Sequence, residues 1–275
     1  MGKGMARNLA RAGMPVRAWN RTGEKIADLG SERGVTPCAT VAEAVAAADV
    51  VLTMLSDADA VLTAAEDAAP AAAGGTLWLQ ASTIGIAGIE RCAELAASSG
   101  LVLVDAPVLG TKQPAEEGQL VVLASGPEEA RESLAPVFDA IAKRTMWVGE
   151  AGAGSRVKVV VNSWLVSIVE GTAEMLSLAE GLGIDPRLAI DAVAGGPLDL
   201  PYLEMKAKAM LERDFTPSFR LALAAKDADL AASAAAEAGL ELPMLEAVCR
   251  RFAEAAREHG DEDLAAVYLA SSPTA

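Results

Sequence analysis

The feature that most constrains the fold is a change of sequence pattern near residue 150. Before it, short apolar runs typical of strands alternate with segments of helical periodicity. The predicted strands are 15–19, a brief one at Val35, 49–55, 75–80, 101–105, 119–124 and 144–148, and the predicted helices are 1–12, 25–29, 41–48, 86–97 and 128–142. This alternation predicts a parallel, doubly wound sheet.

No strand candidate is left after Gly149. The remaining segments with helical periodicity are 155–182, 186–195, 201–212, 219–238 and 244–258, and prolines separate them. We therefore predict two domains, an α/β domain over residues 1–150 and an all-helical domain over residues 151–275.

The composition limits what the chain can bind. With 275 residues, 52% of them hydrophobic, it can build two domains with real cores. Its formal net charge of −15 argues against a nucleic-acid or anionic-membrane partner, because phosphate binding requires a basic face. No apolar run reaches the roughly 18 residues of a membrane-spanning helix, since 157–169 is interrupted by Lys158, Asn162 and Ser163.

Cysteine and histidine usage narrows the chemistry further. Cys38, Cys92 and Cys249 are odd in number and form no CxxC pattern, which indicates buried thiols of a cytoplasmic protein rather than disulfides or a zinc site. His259 is the single histidine, so histidine acid–base catalysis and a metal site are not expected. A general base would then be Lys, Asp, Glu, Tyr or Cys.

One segment is a candidate for that base. The glycines at 149, 152 and 154 lead into a helix-length apolar run, for which Ser155 is a plausible N-cap. Lys158 and Asn162 are four residues apart and share a helix face. Among Val157, Val159, Val160, Val161 and Trp164, Lys158 is expected to have a pKa lowered toward neutrality by burial. The alternative is a lysine that only extends its ammonium group from a buried helix to solvent.

The chain begins with a helix that has the features of a nucleotide-binding unit. Residues 2–9, Gly-Lys-Gly-Met-Ala-Arg-Asn-Leu, resemble the GLGxMGxxMAxNL start of the 3-hydroxyisobutyrate dehydrogenase family, which is related to 6-phosphogluconate dehydrogenase. Further matches are 16–22 with the family's second strand and NRT turn, 53–56 with the loop over the cofactor, 81–84 with its STI motif, 105–108 and 118–120 with its DAPVSGGxxGAxxGTL signature, 152–162 with GxGxxxKxxxN, 226–227 with KDL and 260–266 with GxGDxDxSA.

The resemblance implies a Rossmann-like fold, a reaction and a set of site residues. Hydride passes between nicotinamide and a small β-hydroxyacid or aldehyde acid, with Lys158 as general acid/base and Asn162 orienting the substrate by its hydroxyl oxygen or its carboxylate. The implied cofactor-binding residues are Gly2, Asn20, Arg21, Thr22, Met54, Leu55, Ser56, Thr83 and Lys226. The implied substrate-binding residues are Ser82, Leu109, Gly110, Thr111, Lys112 and Asn162.

The substrate loop departs from the family pattern. Leu109 stands where the family has a serine and Thr111 where it has its second glycine, so a hydroxyl for the substrate carboxylate is missing and Thr111 or Lys112 would replace it. The 112–118 continuation is closer to the glyoxylate and succinic semialdehyde reductase branch. The substrate therefore stays open within small carboxylate-bearing compounds.

The turn after the second strand indicates the cofactor. An acidic residue there would bind the ribose 2′-hydroxyl of NAD, whereas Asn20-Arg21-Thr22 offers a guanidinium and a hydroxyl suited to a 2′-phosphate. NADP is therefore favoured, with NAD possible. The alternative is that Arg21 is a solvated turn residue.

Two other functions compete with this hypothesis. An imine reductase shares the two-domain plan but typically has Asp or Tyr at the position of Lys158. A non-catalytic chain is the second alternative, either a dimerising or chromatin-reading relative or a fragment without its nucleotide site.

The long apolar helix 155–182 predicts a homodimer or homotetramer. Its apolar residues include Val159, Leu165, Ile168, Met175 and Leu178.

The last expectation concerns the first strand of the sheet. In the order 3-2-1-4-5-6 that strand is central, but no residues precede the first helix to form it. We expect family geometry with an empty position between strands 15–19 and 50–55, which would stand about 10 Å apart, twice the roughly 4.8 Å spacing of paired strands. The accompanying hypothesis is a gene product that starts about ten residues upstream, at the missing strand.

Overall fold

The computed structural model describes residues 1–271 and divides into two compact units, Met1–Lys158 and Val159–Ala275. The strands of the first unit are β1 (Val16–Ala18), β2 (Val35–Pro37), β3 (Val50–Thr53), β4 (Leu77–Gln80), β5 (Val102–Asp105), β6 (Val108–Leu109), β7 (Leu120–Ala124) and β8 (Ala142–Trp147). Its helices are α1 (Gly2–Arg11), α2 (Val41–Val45), α3 (Ala58–Ala68), α4 (Gly85–Ser99), α5 (Lys112–Glu116) and α6 (Ala130–Ile141). The helix α7 (Ala153–Gly181) begins in the first unit and continues into the second.

The strands of the first unit form three hydrogen-bonded groups. β1 pairs with β2, β3-β4-β5 form a second group, and β6-β7-β8 form the third. All these pairs are parallel except β6 with β7, which is antiparallel. The parallel α/β architecture is therefore confirmed. No ladder joins β1 to β3.

A cavity takes the place of the missing ladder. Val16 pairs with Val35, and Val51 pairs with Trp78, so the two strands are not neighbours. The cavity has a volume of about 1270 Å³ and is lined by β1, β3 and the apolar side of α1. The expected empty position between these strands is thus confirmed.

The second unit is entirely helical over its described residues, as predicted. After α7 it contains α8 (Pro186–Val193), α9 (Pro201–Glu212), α10 (Leu221–Glu237), α11 (Pro243–His259), a 3₁₀ helix (Leu264–Val267) and α12 (Tyr268–Ser271). Its core joins Val166, Val169 and Leu176 of α7 to Phe252 of α11. By length and composition alone α7 could also span a membrane, a criterion that a core helix of this kind meets as well.

Some local predictions differ from the structure. The predicted helix 25–29 is a 3₁₀ helix over Gly23–Ser31, which buries only Ile26 and Leu29. The predicted helix 41–48 ends at Val45, where Ala47 has a positive φ of 55°. The helix α3, which Asp57 caps, was not predicted, since its alanine-rich sequence gives little periodicity.

Candidate active site

The start of α7 is fixed to the carboxyl ends of two strands. Asp105, the last residue of β5, accepts hydrogen bonds from the backbone N–H of Ser155 at 2.7 Å and from its hydroxyl at 2.8 Å. The hydroxyl of Ser125, just after β7, accepts a hydrogen bond from the N–H of Gly154 at 2.9 Å. Asp105 and Ser125 therefore satisfy N–H groups of the first turn, which have no partner within a helix. The predicted N-cap role of Ser155 is wrong, because α7 begins at Ala153 and Ser155 lies inside the first turn.

Close packing at this point requires glycine. A Cβ on Gly154 would lie 2.2 Å from the carbonyl oxygen of Leu123 and 3.1 Å from that of Asp105. The backbone of α7 thus rests directly on the ends of β7 and β5. Burial raises the pKa of Asp105 to about 6, while the hydrogen bonds from Ser155 and Ser125 oppose that rise. At neutral pH Asp105 is mostly ionised and accepts all of these hydrogen bonds.

Lys158 lies one turn beyond this anchor. It is on the same helix face as Ser155 and Gly154, and only 8% of it is exposed. The predicted burial is confirmed, which disfavours a lysine whose ammonium group reaches solvent. The predicted surroundings are partly wrong, since Val160 and Trp164 project from α7 to solvent and are 68% and 60% exposed.

Asn162 belongs to a polar cluster of the second unit. Its Nδ2 donates to Oδ2 of Asp227 on α10 at 2.7 Å. The Nζ of Lys226 lies 2.9 Å from the other carboxylate oxygen of Asp227. Sequence reasoning named Lys226 but missed Asp227, although the Lys-Asp pair was part of the quoted motif. It also missed Ser125, for which the sequence carries no signal.

The predicted cofactor-binding residues follow α1, β1, β3 and β4. The N-terminus of α1 begins at Gly2, with Lys3 and no acidic side chain in its first turn, so it suits a diphosphate. After β1, Nδ2 of Asn20 donates to the carbonyl oxygen of Thr22 at 2.9 Å, and Arg21 and Thr22 are exposed. No acidic side chain stands in this turn to bind ribose hydroxyls. These residues fit a dinucleotide with a 2′-phosphate.

Residues after β3 and β4 lie at one sheet edge. The N–H of Leu55 donates to the hydroxyl of Ser82 at 2.8 Å, and Ser82 is completely buried. Its hydroxyl is therefore engaged inside the fold, where it holds the loop of Met54 and Leu55. Thr83 next to it is half-buried, while Ser56 is exposed and donates to Asp57 at 2.6 Å.

The predicted substrate loop joins β6 to α5. Leu109 ends β6, Thr111 precedes α5, and Lys112 is its exposed first residue. Gly110 between them has φ of 124°, and a Cβ there would lie 2.8 Å from Leu120. Nδ2 of Asn8 donates to the carbonyl oxygen of Ala115 at 3.0 Å, which ties α5 to α1. The structure thus brings Lys112 and its loop to the helix predicted to bind the cofactor.

Comparison with protein families decides the relationship. Residues 1–149 match the model of the NAD binding domain of 6-phosphogluconate dehydrogenase, and residues 152–270 match that of the NAD-binding domain of NADP-dependent 3-hydroxyisobutyrate dehydrogenase. The chain belongs to the 3-hydroxyisobutyrate dehydrogenase family. It is an NAD(P)-dependent oxidoreductase, and the predicted family, fold class and cofactor are confirmed.

Individual relatives support this membership. Glyoxylate/succinic semialdehyde reductase 1 of Arabidopsis thaliana is 32% identical, over 97% of this chain and 93% of the relative. The structure of Mycobacterium tuberculosis 3-hydroxyisobutyrate dehydrogenase with L-serine is 31% identical, covers 98% of this chain and 95% of its own, and has a TM-score of 0.89. An imine reductase from Pseudomonas sp. covers 98% of this chain and 95% of its own, with a TM-score of 0.65 and 18% identity, which shows a shared fold alone.

Proposed function

We propose that this dehydrogenase catalyses reversible hydride transfer between NADP and the carbinol or aldehyde carbon of a small acid, with Lys158 as the general acid/base. The observation that carries the proposal is a buried lysine held one turn from a fixed helix start. A lysine amine held in a fixed position can accept a proton from a substrate hydroxyl and return it.

The roles of the chain's own residues follow from this assignment. In the oxidation direction Lys158 accepts the proton of the substrate hydroxyl as the carbon–hydrogen bond breaks, and in reduction it returns that proton to the carbonyl oxygen. The nicotinamide of the bound cofactor accepts or supplies the hydride. Arg21 and Thr22 would bind the 2′-phosphate, the N-terminus of α1 would hold the diphosphate, and Met54, Leu55, Ser56 and Thr83 would complete the part of the cofactor site that the first unit supplies.

The substrate would carry a carboxylate. Lys112 is an exposed cation on the loop of Gly110 and Thr111, and it can supply the local positive charge that an acidic chain otherwise lacks. Leu109 makes the same loop more apolar than a serine would. Because a relative over nearly the full length is a glyoxylate/succinic semialdehyde reductase, we favour aldehyde acids such as succinic semialdehyde over 3-hydroxyisobutyrate.

Replacement of the proposed base tests this function. Lys158→Ala should lower turnover of succinic semialdehyde by about 100-fold to 10,000-fold, since a positioned acid/base contributes about that much. The affinity for NADPH, measured by its fluorescence, should stay nearly unchanged, because the lysine acts on the substrate proton. Lys143→Ala, at an exposed lysine of β8, is the matched control. Undiminished turnover by Lys158→Ala, or reduction of cyclic imines in preference to aldehyde acids, would contradict the proposal.

We also propose that the protein is a cytoplasmic homo-oligomer, a dimer or a tetramer. The support for the oligomer is an exposed apolar side of α7 and of the turn after it, with Val160 and Trp164 near the start of the helix, Leu178 near its end and Leu182 just beyond it, each at least 60% exposed. Of the apolar residues first named for this helix, Leu178 is exposed and Ile168 is half-buried, whereas Val159 is buried and Leu165 and Met175 pack against the core. The support for the compartment is the absence of any disulfide among the described cysteines.

A further inference from the structure

Asp105 opens the motif that resembles a substrate-binding signature, yet its carboxylate serves the protein itself. It is completely buried, and its Oδ2 accepts hydrogen bonds from the backbone N–H of Ser155 at 2.7 Å and from the hydroxyl of Ser125 at 3.3 Å. Its Oδ1 accepts one from the hydroxyl of Ser155 at 2.8 Å. Both carboxylate oxygens are therefore engaged at the first turn of α7.

This anchor is fixed to the ends of two strands. The backbone N–H of Asp105 donates to the carbonyl oxygen of Ser125 at 2.9 Å, and the N–H of Ser125 donates to the carbonyl oxygen of Asp105 at 2.7 Å. These bonds join the residues at the ends of β5 and β7. Lys158 is three residues after Ser155 and lies on the same helix face, so its position depends on how firmly the first turn is held.

The carboxylate supplies a charge that an asparagine in its place would not. Burying a carboxylate is costly, and the carbonyl oxygen of an asparagine could accept the Ser155 N–H at a lower cost. The charge strengthens the anchor, because hydrogen bonds to a charged acceptor are about twice as strong as neutral ones and a negative group stabilises a helix N-terminus. The ionised form of Asp105 thus holds the helix start more firmly than the neutral form.

Other titratable and charged side chains lie near this anchor. Cys92 of α4 interacts with Asp105, and burial together with that carboxylate raises the pKa of the thiol to about 12, so the thiol is neutral. On α7, Arg156 pairs with Glu90 of α4 at 3.4 Å at the surface, and Lys158 is the proposed base. Burial raises the pKa of Asp105 to about 6, so this carboxyl group changes its charge in mild acid.

We propose that Asp105 is a positioning residue for the general acid/base: its ionised carboxylate holds the start of α7 so that Lys158 meets the substrate, and protonation of the carboxylate lowers turnover. This inference rests on the proposed function. In reduction Lys158 gives up a proton, so deprotonation of the lysine lowers turnover only at high pH. A loss of turnover at low pH is then the signature of Asp105.

The pH dependence of kcat tests the inference. Reduction of succinic semialdehyde by the full chain is measured at saturating NADPH from pH 5 to pH 9. Since burial raises the pKa of Asp105 to about 6, kcat should be about ten-fold lower at pH 5 than at pH 7.5. Asp105→Asn keeps an acceptor for the Ser155 N–H without the charge. Its kcat should lie at least about ten-fold below that of the parent at pH 7.5 and stay flat down to pH 5.

Controls separate Asp105 from other titrating groups. Asp139→Asn, at an exposed carboxylate of α6, should keep the pH profile of the parent. Ser155→Ala removes a hydroxyl that favours ionised Asp105, so the loss of turnover should move up by about one pH unit. A phosphate also titrates at about pH 6, so the parent is measured again with NADH, where the loss should remain. A loss that persists in Asp105→Asn, or that disappears with NADH, would overturn the inference.

The amide resonance of Ser155 distinguishes this inference from the proposed function. Its chemical shift, followed by NMR against pH in the full chain, should have the same midpoint as kcat, because this N–H donates to Asp105. An amide that titrates while kcat stays constant would make Asp105 a structural anchor alone and overturn the inference. If the amide titrates but no aldehyde acid is reduced at any pH, the proposed function fails, and the inference fails with it.

Discussion

Glu170 in the middle of α7 gives a stability prediction whose size follows from the structure. Its side chain is 6% exposed, and its nearest charge is the Nε of Arg251 at 3.5 Å, too far for a good hydrogen bond. Burial raises the pKa of Glu170 from 4.5 to about 7, while Arg251 opposes that rise. The folded protein thus holds a proton on this group that the unfolded chain has already released.

The sign and magnitude follow from linkage. A carboxyl group with a raised folded-state pKa lowers stability as pH rises from its unfolded to its folded pKa. The pKa difference is about 2.5, and at about 1.36 kcal/mol for each pKa step the loss reaches about 3 kcal/mol above pH 7. At pH 5 the loss of stability is about 1 kcal/mol, because this pH lies only slightly above the pKa of the carboxyl group in the unfolded chain.

Glu170→Gln removes this titration. The free energy of unfolding of the variant should therefore rise by about 2 kcal/mol relative to that of the parent between pH 5 and pH 8. The assay is urea unfolding of both proteins at several pH values, with the difference in the free energy of unfolding plotted against pH. Glu237→Gln, at an exposed carboxylate of α10, is the control and should give a flat difference. A flat difference for Glu170→Gln as well, or one that falls with pH, would refute the reasoning.

Three further predictions concern the cofactor, the start of α7 and the oligomer. Arg21→Ala should weaken the binding of NADPH by roughly 10-fold to 100-fold in fluorescence titrations and leave the binding of NADH unaffected. An equal loss of affinity for both nucleotides would contradict the assignment of Arg21 to the 2′-phosphate. Gly154→Ala should cost at least about 1–3 kcal/mol in urea unfolding and lower turnover, since its Cβ would meet the Leu123 carbonyl oxygen at 2.2 Å. Gly171→Ala in the same helix, with nothing within 4 Å, should instead stabilise by up to about 1 kcal/mol. Light scattering should show a dimer or tetramer that Trp164→Glu dissociates, and a monomeric parent would contradict the proposed interface.

The sequence by itself determined the class of fold and the positions of the central helix residues. Alternating strand and helix patterns up to residue 150, and helical periodicity after it, are local signals that each segment carries in its own side chains. The spacing of Lys158 and Asn162 placed them on one helix face for the same reason, since 3.6 residues per turn bring residues four apart together. The glycines before α7 also marked where that helix begins, to within a turn.

Only the tertiary structure decided which distant groups meet. Asp105 reaches Ser155 across 50 residues of sequence, and Asn162 reaches Asp227 across 65, so no local pattern could identify either partner. The same holds for the strands, because the apolar run of β1 does not state whether it pairs with β2 alone or with β3 as well. Periodicity fixes which side of an element is buried, whereas hydrogen-bond partners depend on how the elements pack, and that packing brings Asp105 to Ser155 and Asp227 to Asn162.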